Sequence, residues 1–151
     1  MSERTRILFV CSHNSARSQM AEAFLNLEAL PGYVAESAGL EAGTLNPYVV
    51  RVMQELGVDL SGKQPRRVFD LVRQGKLYGH VITVCDTQTA EKCPVFPGIT
   101  TRLHWSFEDP STFTGTEEER LERTRQIRDQ IRERVREFAR SLESPETRKE
   151  E

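Results

Sequence analysis

The chain lacks a long hydrophobic stretch, because its longest unbroken apolar run covers only residues 7–11. A membrane-spanning helix needs roughly 18 such residues, so no transmembrane helix is predicted. The N-terminus carries charged residues but no apolar segment leading to a cleavage site, and we therefore expect a cytoplasmic protein rather than a secreted one. The net charge of -2 provides no overall field that would attract nucleic acid or anionic lipid.

Cysteine is also scarce. The chain has three cysteines, Cys11, Cys85 and Cys93, and an odd number does not suit a static disulfide framework, so we expect reactive or buried thiols. The remaining composition, with 37% hydrophobic and 29% charged residues, is ordinary for a globular chain. We predict one folded domain over residues 1–143, followed by a charged flexible tail at 144–151.

Short strand-like stretches alternate with helix-like stretches along the chain, a pattern that predicts a parallel sheet covered by helices on both faces. Strands are predicted at residues 7–10, 33–36, 80–84 and 102–105, and helices at 18–30, 46–57, 65–74 and 116–142. Short right-handed connections favour an α/β fold with a single doubly wound sheet of four parallel strands in the order 2-1-3-4. Ligands are then expected at the carboxyl ends of the strands.

The segment between the first strand and the first helix carries the strongest chemical signal. It runs through Cys11, Ser12, His13, Asn14, Ser15, Ala16, Arg17 and Ser18. Successive backbone N–H groups in such a turn, with a helix N-terminus behind them, form a concave site for a tetrahedral oxyanion, as in a phosphatase-type P-loop. Arg17 can clamp two oxygens of the anion, and the same positive field favours the thiolate form of Cys11.

Two further residues of this segment are expected to support the nucleophile. We predict that Ser18 donates its hydroxyl to the sulfur of Cys11, and that Asn14 holds the turns of the loop by hydrogen bonds. A buried, inert cysteine and a surface arginine are the alternative interpretation of Cys11 and Arg17. Their spacing at a strand-to-helix turn favours a nucleophile and an anion clamp instead.

The other two cysteines follow the third predicted strand. Strands 1 and 3 are neighbours about 4.8 Å apart in the predicted order, so Cys85 and Cys11 are expected to face one crevice. If residues 85–93 were helical, the two α-carbons would be roughly 12 Å apart, whereas a disulfide needs less than about 7 Å. Joining Cys85 to Cys93 would therefore require the segment to unwind.

Three interpretations of this cysteine pair compete. Both residues could be buried and inert, or they could form a metal site with His104, although their spacing does not match a zinc motif. A thiol relay uses all three cysteines, with Cys85 resolving an adduct on Cys11 and Cys93 resolving Cys85. We favour the relay and predict no metal site.

An acidic residue near the crevice could protonate a departing oxygen. Asp109 lies on a loop stiffened by Pro110 after the fourth predicted strand, and it is the candidate general acid. Glu108 is the alternative, and a plain Asp-Pro turn without catalytic function is a third interpretation.

The chain closely resembles the thioredoxin-coupled arsenate reductases built on the low-molecular-weight tyrosine phosphatase fold, from residue 7 to about 138. The resemblance rests on Cys11-x5-Arg17-Ser18 followed by Gln-Met-Ala-Glu at 19–22, Ser37-Ala38-Gly39, Asn46-Pro47, Val84-Cys85, Cys93-Pro94, His104-Trp105, Asp109-Pro110 and residues 125–131. Tyrosine phosphatases of this fold typically have proline where this chain has Gln19, and they lack the cysteine pair.

The resemblance implies a reaction sequence. Cys11 attacks arsenate held by the loop amides and Arg17, and Asp109 protonates the departing oxygen. Cys85 then attacks the sulfur of Cys11 and releases arsenite. Cys93 attacks Cys85, and the resulting disulfide is reduced by thioredoxin or a similar thiol reductant. No cofactor is implied, and we expect a monomer.

Two other functions remain as alternatives. A small phosphatase could hydrolyse phosphomonoesters, such as phosphotyrosine, through a phosphocysteine at Cys11. A non-catalytic oxyanion-binding regulator is the third hypothesis, and the intact set of Cys11, Arg17 and Asp109 argues against it.

The chain differs in two features from the family that it resembles. The interval between the second and third cysteines is one residue longer than in the best-known members. Some members bind potassium through residues that match Asn14, Glu22 and Ser37 together with an aspartate. Arg66 or a neighbour takes the place of that aspartate here, so a built-in cation is expected to replace the metal and potassium is not predicted.

Overall fold

The computed structural model describes residues 5–85, 90–94, 96, 98 and 100–143. Within these ranges the sheet has four strands, β1 (Thr5–Cys11), β2 (Tyr33–Gly39), β3 (His80–Thr83) and β4 (Thr101–His104). All neighbours pair in parallel in the order β2-β1-β3-β4. The predicted doubly wound sheet is confirmed, and the carboxyl ends of β1 and β3 lie side by side.

The described helices are α1 (Arg17–Leu27), α2 (Pro47–Gln54), α3 (Val68–Arg73) and α4 (Glu117–Glu143), with a short 3-10 helix at Pro110–Thr112. The predicted capping box of α4 is present, because Glu119 N–H donates to the Thr116 hydroxyl and Thr116 N–H donates to the Glu119 carboxylate, at 3.1 and 3.2 Å. Local sequence therefore sets where the longest helix begins.

Alternate residues of β1 face opposite sides of the sheet, as the two-residue period of a strand requires. Phe9 and Cys11 pack in one apolar cluster, which α1, α2 and α4 cover. Leu8 and Val10 pack in a second cluster, which α3 covers from the other side. Helices on both faces explain why β1 is apolar almost throughout, and they confirm the predicted layers.

Several element boundaries differ from the sequence prediction. Helix α1 ends at Leu27 rather than at residue 30, because Ala29 has a left-handed φ of 51° and returns Leu30 to the core. Strand β2 extends beyond residue 36 to Gly39, which pairs with Cys11. Helix α3 is shorter than predicted and begins at Val68. Tertiary pairing and turn geometry decided these limits.

No helix in the described ranges combines the length and the hydropathy of a membrane span. The tail predicted at 144–151 lies outside the described residues, and its flexibility stays a prediction.

Candidate active site

The predicted anion loop lies between the end of β1 and the start of α1. Asn14 has a left-handed φ of 54°, which asparagine tolerates better than most residues. Arg17 is the first residue of α1 and Ser18 the second, and both side chains are buried. The loop therefore ends at a helix N-terminus, where backbone N–H groups have no partner within the helix.

Residues 39–46, which we call the strap, run along the outside of this loop. Strap N–H groups donate to four loop carbonyls, with Leu40 bonded to Cys11, Glu41 to Ser12, Gly43 to His13 and Asn46 to Ser15, at 2.9–3.1 Å. In a trans peptide the N–H points opposite to the C=O. The N–H groups that follow these carbonyls are therefore directed away from the strap, into the loop.

Glycine is required where the strap meets the loop. A Cβ atom at Gly39 would lie 2.6 Å from the backbone nitrogen of Asn14, and one at Gly43 would lie 2.9 Å from the Cβ of His13. Side chains at these positions would push the loop out of place. No local sequence pattern predicts the strap, although its two glycines are visible in the sequence.

The sulfur of Cys11 is held by a short chain of hydrogen bonds. Cys11 Sγ lies 2.9 Å from Ser18 Oγ, and Asn14 Nδ2 donates to the same hydroxyl at 2.8 Å. Because Asn14 supplies a proton to this oxygen, the Ser18 hydroxyl keeps its own hydrogen for the sulfur. A thiolate at Cys11 would accept that hydrogen. The predicted contact of Ser18 with Cys11 and the predicted hydrogen bonding of Asn14 are both present.

Asn14 is itself held from two sides. Its Oδ1 accepts hydrogen bonds from the Gln19 amide at 3.1 Å and from the Arg66 backbone N–H at 2.9 Å. Gln19 also donates to the Asn14 carbonyl at 3.1 Å. The glutamine that distinguishes this chain from typical tyrosine phosphatases therefore helps to fix the left-handed turn of the loop.

Arg17 joins the loop to the segment that carries the predicted acid. Arg17 Nη1 donates to the carbonyl of Phe107 at 3.1 Å, and Nη2 lies 3.5 Å from Asp109 Oδ2. The Nε atom of Arg17 is buried and has no hydrogen-bond partner in the described part of the chain. An oxyanion in the loop could satisfy this donor, since guanidinium binds two oxygens through adjacent N–H groups.

The structure distinguishes between the two acidic candidates. Asp109 faces the loop through Arg17, and its other oxygen accepts from the Ser111 N–H at 2.9 Å. Glu108 is 69% exposed and pairs with Arg123 at 3.5 Å. The geometry therefore favours Asp109 and directs Glu108 away from the crevice.

The second and third cysteines pack on different faces of the sheet. Cys85 is fully buried in the same apolar cluster as Cys11. Cys93 is buried in the opposite cluster with Val81 and Phe96. None of the three cysteines is in a disulfide. Cys11 and Cys85 thus share one cluster, whereas Cys93 would have to change its packing to reach Cys85.

Burial has a chemical consequence at Cys93. It raises the pKa of this thiol, and the charge of Arg102 offsets only part of the effect. Cys93 in this packing therefore retains its proton at neutral pH, and a thiol is a weak nucleophile.

The metal alternative gains no geometric support. His104 Nδ1 lies 2.7 Å from the Thr83 hydroxyl, while Cys85 and Cys93 are on different faces. Across the described ranges, no three side chains of His, Cys, Asp or Glu are grouped as metal ligands.

A cationic cluster lies behind the loop. Glu22 accepts from the Ser37 hydroxyl at 2.7 Å and is paired with the Lys63 ammonium. Arg66 donates to the carbonyl of Ser37 at 3.2 Å. These contacts place two protein cations where a built-in charge was expected. The sequence analysis pointed to Arg66 or a neighbour and did not name Lys63, because only the fold brings residue 63 to Glu22.

Known proteins resemble this chain closely. A family model described as low molecular weight phosphotyrosine protein phosphatase matches residues 6–148. The arsenate reductase of Bacillus licheniformis is 40% identical over 141 residues, covering 92% of this chain and 97% of that protein. The crystal structure of the arsenate reductase of Archaeoglobus fulgidus has a TM-score of 0.70 and 31% identity, covering 88% of this chain and 98% of that chain.

A further similar structure is that of a protein described as thioredoxin-dependent. The thioredoxin-dependent arsenate reductase of Corynebacterium glutamicum has a TM-score of 0.67 and 29% identity, covering 93% of this chain and 62% of that chain. The resemblance inferred from the motifs is thus confirmed by sequence and structure alike. The chain belongs to the low molecular weight phosphotyrosine protein phosphatase family, among relatives that are named arsenate reductases.

Proposed function

We propose that this protein is an arsenate reductase that works through a relay of Cys11, Cys85 and Cys93. The observation that carries the proposal is the sharing of one buried cluster by Cys11 and Cys85, with Cys11 in the anion loop. A phosphatase needs only the first of these cysteines. A second thiol packed in the same cluster as the nucleophile is what reduction requires.

In the first step the Cys11 thiolate attacks arsenate. A sulfur–arsenic bond forms, and an arsenic–oxygen bond breaks. Asp109 gives its proton to the departing oxygen, which leaves as water. The N–H groups of Ser12, His13, Asn14, Ser15, Ala16, Arg17 and Ser18 form the binding loop, and Arg17 neutralises the charge on the oxygens.

In the second step the Cys85 thiolate attacks the sulfur of Cys11. A Cys11–Cys85 disulfide forms, and the sulfur–arsenic bond breaks with its electron pair remaining on arsenic. Arsenic is thereby reduced from the +5 to the +3 state and leaves as arsenite. The two electrons come from the two thiols.

In the third step Cys93 attacks Cys85 and releases the Cys11 thiolate. Because Cys93 packs on the opposite face of the sheet from Cys85, this step requires Cys93 to leave its apolar cluster. Leaving its apolar cluster would also lower the barrier to ionisation of the Cys93 thiol.

The Cys85–Cys93 disulfide is then reduced by an external dithiol. The thioredoxin dependence of the Corynebacterium glutamicum neighbour supports a thioredoxin-type protein as that reductant. A monomer in the cytoplasm, where thiol reductants keep cysteines reduced, suits this cycle. The relay uses no metal ion or organic cofactor.

The experiment uses Cys85→Ser and Cys93→Ser variants. Both should lose multi-turnover arsenate reduction with thioredoxin, while hydrolysis of an aryl phosphate should be nearly unchanged. Mass spectrometry after one arsenate turnover without reductant should locate a Cys85–Cys93 disulfide in the wild type and a Cys11–Cys85 disulfide in Cys93→Ser. Unchanged thioredoxin-driven turnover in Cys85→Ser would refute the relay.

Phosphatase activity is the second candidate function. The contact between Arg17 and Asp109 places a carboxyl group across from the loop, an arrangement that also suits hydrolysis of phosphomonoesters through a Cys11 phosphocysteine. Wild-type hydrolysis of aryl phosphates without any arsenate reduction would favour this alternative.

A further inference from the structure

We infer that Asn46 and Ser111 are positioning residues that hold Asp109 over the anion loop. The inference rests on the proposed role of Asp109 as the general acid. It concerns a ring of contacts that runs from the loop through Asn46, Ser111 and Asp109, and returns to the loop at Arg17.

Asn46 is fixed to the loop at its backbone and to α2 at its side chain. Its N–H donates to the carbonyl of Ser15 at 2.9 Å. Its Oδ1 accepts from the N–H groups of Tyr48 and Val49 at 2.8 and 3.4 Å, as a helix N-cap. Since both of these partners are donors, the oxygen must face them and the NH2 group must face the other way.

The NH2 group of that amide reaches the turn at residues 109–111, which carries Asp109 and which we call the acid turn. Asn46 Nδ2 donates to the Ser111 hydroxyl at 3.1 Å, and the Ser111 N–H donates to Asp109 Oδ1 at 2.9 Å. Oδ1 is thereby held on the side of Ser111, and Oδ2 is the oxygen that faces Arg17 at 3.5 Å.

This link matters most when an oxyanion is bound. The unpartnered Nε of Arg17 and its Nη2 form one edge of the guanidinium, which suits two oxygens of the anion. Binding through that edge takes Nη2 away from Asp109. The contact with Asn46 through Ser111 then holds the acid turn against the loop, so the acid keeps its place at the moment it is needed.

The role can be separated from helix capping by changing Ser111. Ser111→Ala removes the hydroxyl that receives Asn46 but leaves the cap of α2 and the N–H of residue 111 intact. Ser111→Thr keeps the hydroxyl and should rescue the loss. Tyr48→Phe is the matched control, because the Tyr48 hydroxyl lies in the same cleft between strap and acid turn but outside the ring.

The measurement compares two aryl phosphates. The leaving group of phenyl phosphate needs a proton, whereas that of 2,4-dinitrophenyl phosphate does not. A displaced acid should lower kcat/KM for phenyl phosphate by about 10-fold, because general acid catalysis contributes 10²-fold or more and displacement removes part of it. The loss for 2,4-dinitrophenyl phosphate should stay below about threefold. Tyr48→Phe should show no such difference.

Asn46→Ser keeps a capping oxygen and should give the same leaving-group difference as Ser111→Ala. The double variant should lose no more than either single variant, because both changes break one link. Equal losses for the two substrates in Ser111→Ala would overturn the inference, as would a wild type that hydrolyses neither aryl phosphate. Arsenate reduction is measured separately. Its absence, with the leaving-group difference intact, would overturn the proposed function and leave this inference standing.

Discussion

The sulfur of Cys11 and the sulfur of Cys93 are both buried, but the groups around them are of opposite kinds. Cys11 has the Ser18 hydroxyl at 2.9 Å and lies in a loop that ends at a helix N-terminus. Cys93 packs with Val81 and Phe96, and its burial raises its pKa. Burial alone therefore does not decide the chemistry of a cysteine. The donors in contact with the sulfur do.

The difference between the surroundings of Cys11 and Cys93 also agrees with the order of steps in the proposed relay. A thiol that is poised as a nucleophile belongs in the first step, and one that is protonated in an apolar cluster is held back. In the proposed relay Cys93 attacks only after it leaves its cluster, so it would not compete with Cys85 before an adduct forms on Cys11.

The largest effect is expected from removing the first thiol of this comparison. Cys11→Ser should lower both arsenate reduction and aryl-phosphate hydrolysis by about 10⁴-fold or more, since losses of this size follow removal of a catalytic nucleophile. Steady-state kinetics with both substrates checks this. Retained phosphatase activity would show that Cys11 is not the nucleophile.

A smaller loss is expected when only the donor to that sulfur is removed. Ser18→Ala takes away a hydrogen bond to a charged group, a contribution of about 1.5–3 kcal/mol. This corresponds to a decrease of about 10- to 100-fold in alkylation of Cys11 by iodoacetamide at neutral pH. Ser12→Ala, at a loop residue whose hydroxyl has no such proposed role, serves as the control. Equal rates in Ser18→Ala and wild type would remove the argument for the polar environment of Cys11.

The two thiols should also differ in their own alkylation rates. Cys11 should react faster than Cys93 at pH 7, because burial raises the pKa of the Cys93 thiol and so lowers its thiolate fraction. Peptide mapping after short exposure to iodoacetamide measures both rates in one sample. Raising the pH should narrow the difference between the two alkylation rates, because more of the Cys93 thiol then ionises. Cys93 reacting first would contradict the environments described for the two residues.

Packing at Gly39 tests how firmly the loop is held. Gly39→Ala would place a Cβ 2.6 Å from the Asn14 nitrogen, and overpacking of this kind costs about 1–3 kcal/mol. Urea unfolding should show that loss of stability, and arsenate or phosphate binding should weaken with it. Gly62→Ala is the matched control, because a Cβ at Gly62 meets nothing within 4 Å. Equal effects of the two substitutions would contradict the claim that close packing of the strap at Gly39 holds the loop in place.

The smallest effect concerns pH and Cys93. Its pKa is higher in the folded chain than in the unfolded chain, so the folded state holds a proton that the unfolded state loses above about pH 8.5. The contribution of Cys93 to the free energy of unfolding should therefore be constant below that pH. Above it, this contribution should fall by at most about 1.4 kcal/mol per pH unit. Cys93→Ala should remove that part of the slope. Identical slopes in both proteins between pH 8 and 9.5 would contradict the raised pKa.

Sequence reasoning identified the parts whose structure is local. The anion loop, the helix starts at Asn46 and Thr116, and the strand order follow from turn chemistry, capping and right-handed crossovers. It also named Ser18 as a partner of Cys11, because the two residues belong to one short loop. It did not find the strap, Lys63, or the link from Asn46 to Ser111, since these contacts join residues far apart in the chain.

The sequence by itself determined that a cysteine and an arginine frame an oxyanion site at a strand-to-helix turn, because the residues that build such a loop are consecutive. Tertiary structure decided that Asp109 rather than Glu108 faces Arg17, and that Cys93 packs on the face opposite Cys11 and Cys85. The direction in which a side chain points depends on the twist and packing of neighbouring strands, and no local pattern records it.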